Sequence, residues 1–163
     1  MKGRKVTILI AALAAPIAVF LFLKFFGKNE FTVEPLFSAA VPETSCNVTY
    51  PLPYRIPDSV RNTLPFDEST ALVVVGFPYR DSTGIAARNL RRLEISFASE
   101  PIAFVRVPAA GNDRLRECVY FLDGTLTAAM VDREGRIRGR YTLSDLNEAD
   151  RLSAELKIML HKY

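Results

Sequence analysis

The chain has 163 residues, 49% of them hydrophobic and 24% charged, a balance that suits one packed domain with something added and excludes a disordered polymer. Its formal net charge is only +3, and several of its cations flank an apolar N-terminal run, so no strongly basic domain remains and no nucleic-acid partner is expected.

From Val6 to Phe26 the sequence reads VTILIAALAAPIAVFLFLKFF, with Lys24 as its single charge. A run of this length crosses a hydrocarbon core of ~30 Å, and it predicts a transmembrane helix. Pro16 is tolerable there, because neighbouring groups and local adjustments re-satisfy the carbonyl it frees. A cleaved secretory signal is the alternative, given the basic start of Lys2, Arg4 and Lys5, but the apolar segment is long for a signal and no small-x-small site directly follows it. Lys2, Arg4 and Lys5 precede the span, against Lys24 and Lys28 after it, which favours a cytoplasmic N-terminus. The remainder is then expected on the outer side, in the periplasm of a bacterium. The expected organisation is a transmembrane anchor over residues 1–28, a proline-rich extended tether over 29–66 and a folded domain over 67–163.

The tether is read from Pro35, Pro42, Pro51, Pro53, Pro57 and Pro65, which recur without helical or strand periodicity. Each removes a backbone donor and turns its predecessor away from helix. Tyr50, Leu52, Tyr54 and Ile56 alternate with other residues, the pattern of an edge strand or hairpin arm. Cys46 lies in this stretch and Cys118, the second of the two cysteines, lies far downstream. In an oxidising compartment such a pair often forms one disulfide, here closing a loop long enough for ~4 kcal/mol in the chain-entropy model. Two free thiols, or a redox or metal role for the pair, are the alternatives.

The core elements follow in order. Ala71 to Phe77 is a β-branched apolar run, the composition of a strand buried on both faces. Thr83 is placed to cap a helix on which Ala86, Leu90, Leu93 and Phe97 form one stripe. Ile102 to Val107 is a second strand, and PAAGNDRLR after it a connection. Leu126 to Val131 and Arg136 to Thr142 predict a hairpin turning at Asp132-Arg133-Glu134-Gly135, where glycine supplies a positive φ. Arg133, Arg136, Arg138 and Arg140 are expected on a solvated sheet face. Asn147 is read as the cap of a last helix carrying Leu152, Leu156 and Met159 as its buried stripe. Strand, helix, strand, hairpin, helix is the order of a thioredoxin-like α/β domain, a central mixed sheet flanked by helices.

The tail MVDREGRIRGRYTLSDLNEADRLSAELKIML resembles the end of Sco/SenC proteins, membrane-anchored thioredoxin-fold copper chaperones of cytochrome c oxidase assembly. The anchor with FLKFFGKNEF, the proline-rich lead and the IPDSV segment are similar to the same group. The resemblance implies a C-x-x-x-C motif at the corner after the first strand and a histidine on a later loop, soft donors that suit copper and thiols that permit disulfide exchange. The matching corner here is FPYRDSTGIAARNL, in which Arg80, Asp81, Ser82 and Thr83 stand where thiols are expected. CVYFLDGTLTAAM before the hairpin lacks the histidine. Copper transfer and dithiol chemistry do not carry over, and neither cofactor, metal nor small-molecule substrate is expected.

Other constellations are weak. His161, the single histidine, is read as a surface residue and Met130 and Met159 as core. Ser82 has no evident base beside it. Asp67-Glu68 and Asp145-Glu148 read as capping or solvated carboxylates, and Asn47-Val48-Thr49 fits the glycosylation acceptor pattern, which matches often by chance. The expectation is a non-enzymatic, bilayer-anchored protein that contacts a respiratory-complex subunit such as one of cytochrome c oxidase. A thiol-disulfide oxidoreductase or copper carrier using Cys46 and Cys118 is the alternative.

Overall fold

The computed structural model describes residues 3, 13–22, 24, 32–108 and 110–161. The chain divides into two units, Met1–Phe31 and Thr32–Tyr163. In the first, residues 13–22 are helical. Among the described residues no helix is long and apolar enough to cross a membrane, and of the span expected over Val6–Phe26 residues 6–12, 23, 25 and 26 lie outside them.

The second unit is built on a four-stranded mixed sheet. Its elements are a single helical turn α1 (Asp58–Arg61), β1 (Leu72–Gly76), a 3₁₀ turn (Pro78–Arg80), α2 (Ile85–Ser96), β2 (Ile102–Arg106), a π-helical segment (Leu115–Val119), β3 (Ala128–Asp132), β4 (Ile137–Tyr141) and α3 (Leu146–Leu160). The spatial order is β2-β1-β3-β4, with β1 parallel to β2 and antiparallel to β3, and β3 antiparallel to β4. This arrangement is compatible with the thioredoxin-like core read from the sequence.

All five residues of β1 are buried, as its unbroken apolar run requires of a central strand covered on both faces. Leu72 and Val74 point into a cluster with Ala86, Leu90, Leu93 and Phe97 of the α2 region and Leu152, Leu156 and Met159 of α3. Val73 and Val75 point the other way, into a cluster with Tyr54, Ile56, Tyr120, Phe121 and Leu122. Helices therefore cover one face. The proline-rich lead and the π-helical segment cover the other.

That second layer changes the expected domain boundary. Residues 32–66, read from the sequence as an extended tether, belong to the folded unit. Tyr54 and Ile56 are buried, and Leu36, Phe37, Val41 and Tyr50 pack against their cluster. The lead also bonds to the start of the edge strand β4 and to the turn before it: Leu36 N donates to Ile137 O at 2.8 Å and Ile56 N to Gly135 O at 2.8 Å. These isolated bonds, not a regular strand, are what the expected hairpin arm becomes, since prolines interrupt any continuous ladder. The lead thereby occupies the edge of the sheet where β4 begins.

The hairpin forms at the expected turn, with Gly135 at φ 76°. Its register shifts between Met130 and Val131. One slipped residue exchanges the faces of a strand, so Ile137 packs in the lead-side cluster and Tyr141 in the helix-side one.

The expected solvated arginine face is corrected by the same geometry. Arg136 Nε and Arg138 Nε each lie 2.7 Å from Oδ2 of the buried Asp132. Arg133 reaches the carbonyls of Thr70 (2.7 Å) and Glu68 (2.6 Å), and Arg140 donates to Phe121 O and lies over the Phe37 ring. The four guanidiniums bind the lead and the turns to the sheet.

Candidate functional site

The corner after β1 is built by Asp81. Gly76 ends the strand, Pro78–Arg80 makes one 3₁₀ turn, and α2 begins at Ile85 after Gly84 at φ 70°. Asp81 Oδ1 accepts from the Thr83 amide at 2.9 Å and from the Thr83 hydroxyl, and its Oδ2 accepts from the Ala86 amide at 2.7 Å. Asp81 thus supplies the helix start expected of Thr83, whose Oγ1 accepts only a 3.3 Å bond from Ile85 N. The bonds from the Thr83 hydroxyl, then from the Ala86 amide, hold the Asp81 carboxyl at about 2, below its ordinary 3.8. A carboxylate so occupied is a poor proton acceptor near neutral pH.

The corner faces the segment that enters β3, for Phe77 N donates to Thr127 O at 2.7 Å. Phe77 also meets Tyr120 edge-on, with ring centroids 6.0 Å apart. Ser82 is exposed, and Tyr79 beside it is 63% exposed.

Cys46 and Cys118 form a disulfide with Cα atoms 5.8 Å apart. Both are half-buried, and the bond ties the lead to the π-helical segment. Around it lies an aromatic cluster in which Phe121 meets Phe37 at 4.9 Å, Tyr50 at 5.0 Å and Tyr54 at 4.7 Å, each edge-on. The Tyr54 hydroxyl donates to Val119 O at 2.8 Å, and burial raises its pKa above the ordinary 10.0.

The remaining sequence candidates lie apart. His161 caps the end of α3 and lines a cleft with Phe97, Glu100 and Lys157. Met130 and Met159 are buried in the helix-side core. Asp145, and not Asn147, caps α3, accepting from Asn147 N at 2.9 Å. Asp67 closes a turn on Ser69 and Thr70, and Glu148 pairs with Arg151.

Among the described residues no group of three or more His, Cys, Asp or Glu side chains is placed to hold a metal ion. The donors present do not fit copper: both sulfurs are bonded to each other and the imidazole sits at the far end of α3.

One cleft of the fold has no signal in the sequence. Val48, Tyr50, Pro51, Tyr54, Leu115 and Val119, with Cys118, wall a cleft of about 560 Å³. Its walls come from two segments, within residues 48–57 and 114–119, without shared periodicity, so only the fold brings them together. No family model and no curated protein matches the chain.

Proposed function

We propose that the chain is a membrane-anchored, non-catalytic, Sco-like thioredoxin-fold protein that works by protein–protein contact in the assembly or architecture of cytochrome c oxidase or a related respiratory complex. The apolar run over Val6–Phe26 supports the anchor, and the basic residues before it support a periplasmic position for the folded unit. The observation that carries the reading is the corner. Where the resemblance implies thiols, Asp81 closes the loop on Thr83 and Ala86, and Tyr79 presents an exposed ring. Exposed aromatics are frequent anchors of protein contacts.

The test is extraction of the tagged full chain in mild detergent, followed by mass spectrometry of co-purifying proteins. Oxidase subunits are expected to be enriched over an unrelated anchored protein, and Tyr79→Ala is expected to lower their recovery about tenfold, the effect of one aromatic anchor. No enrichment overturns the proposal.

A second reading, a thiol-disulfide oxidoreductase or copper carrier using Cys46 and Cys118, is favoured by one observation: Cys118 lines an open cleft and is reachable. Reversible reduction of the pair in cells distinguishes it from the first.

A further inference from the structure

The cleft beside the disulfide has the size of a small-molecule site, about 560 Å³. Apolar groups make most of its wall. Tyr54, the buried one of its hydroxyl-bearing lining residues, already donates its hydroxyl to Val119 O. What marks it is the charge at its border. Among the described residues the charged ones lining it are Arg55 and Arg114, and no carboxylate is among them. Arg61, Arg133, Arg136, Arg138 and Arg140 all end on protein acceptors. Arg55 and Arg114 are exposed and make no hydrogen bond or ion pair among the described residues. Two exposed guanidiniums without a described partner, beside an apolar concavity, complement a molecule with an apolar body and one anionic end. Guanidinium pairs well with a carboxylate, and its weak hydration lets its stem lie along hydrocarbon.

We propose that this cleft binds an amphipathic carboxylate of medium-chain fatty-acid type, its hydrocarbon against Val48, Tyr50, Pro51, Leu115 and Val119 and its carboxylate on Arg55 and Arg114. The molecule is a bound ligand, not a substrate, and its binding is independent of the contact function proposed above.

The test uses the full chain in phosphatidylcholine nanodiscs and two photoreactive probes of equal length, a diazirine-bearing decanoic acid and the matching decanol. The acid is expected to label residues 48–57 and 114–119 about tenfold more than the alcohol, the effect of one charge-assisted contact. R55Q/R114Q is expected to bring the acid down to the level of the alcohol and leave alcohol labelling unchanged. Because neither side chain bonds to another described residue, the variant is expected to retain the fold, which an intact Cys46–Cys118 disulfide on a non-reducing gel verifies. Equal labelling by both probes, labelling insensitive to R55Q/R114Q, or labelling spread along the chain overturns the proposal.

Discussion

Arg138 donates from Nε to Oδ2 of Asp132 at 2.7 Å, and the Asp132 side chain has no exposure at all. The same carboxylate takes the Arg136 Nε and the amides of Glu134 and Arg136, so one buried group fixes both the hairpin turn and its arginines. Arg138 passes the restraint on to the lead through Val33 O at 2.9 Å.

Asp132→Asn keeps an oxygen for the two turn amides but aims an NH₂ at two guanidinium donors. Breaking a buried pair from one side costs about 3 kcal/mol or more, and chemical denaturation of the full chain is expected to show a loss of that size. A loss under 1 kcal/mol would mean that the pair is not desolvated as described.

The disulfide joins residues 72 apart in sequence. Cross-linking a loop of that length restrains the unfolded chain by about 4 kcal/mol, so C46S/C118S is expected to be less stable by roughly that amount under the same denaturant. The lead should loosen first, seen as faster hydrogen exchange at Leu36 and Ile56, whose amides bond to the β4 region.

Gly139 in β4 lies under the Tyr141 ring, and a Cβ there would meet the Tyr141 hydroxyl and ring. That hydroxyl donates to Glu155 Oε2 at 2.6 Å, linking β4 to α3. Gly139→Ala is expected to push the ring aside and cost about 1–3 kcal/mol, as overpacking does. Tyr141→Phe in the Gly139→Ala background should then be milder than the sum of the two single changes, because the hydroxyl contact is already lost.

Asp81 titrates at about 2, held down first by the Thr83 hydroxyl. A carboxyl whose folded pKa is depressed stabilises the fold fully above its ordinary 3.8, and that contribution disappears as pH falls toward about 2. The corner is therefore expected to keep its geometry down to about pH 4 and to loosen below it. Carboxyl carbon shifts of Asp81 should follow a midpoint near 2, moving up in Thr83→Val. A midpoint that ignores the substitution would contradict the bond.

The strands and helices of the folded unit were legible because β1 is a single apolar run and α2 and α3 carry stripes at helical spacing. Gly135 marked the hairpin for the same kind of local reason. The lead was not legible: its burial comes from Tyr54, Ile56 and Phe37 fitting a distant sheet face, and proline-punctuated chain has no period to betray that. The arginines misled because alternate spacing implies one face, whereas the register shift at Met130/Val131 and the buried Asp132 redirect them. At the corner the residues were identified, but capping passed from Thr83 to Asp81, whose carboxylate reaches two amides and a hydroxyl at once.

The redox state of Cys46 and Cys118 in growing cells tests the central claim most directly. Acid trapping followed by alkylation and mass measurement of the full chain reports it. A protein that works by contact should show one species, unalkylated at both positions, whether respiration is running or blocked. A pair that cycles between alkylated and unalkylated forms with respiratory state would contradict the account and establish the thiols as the working groups.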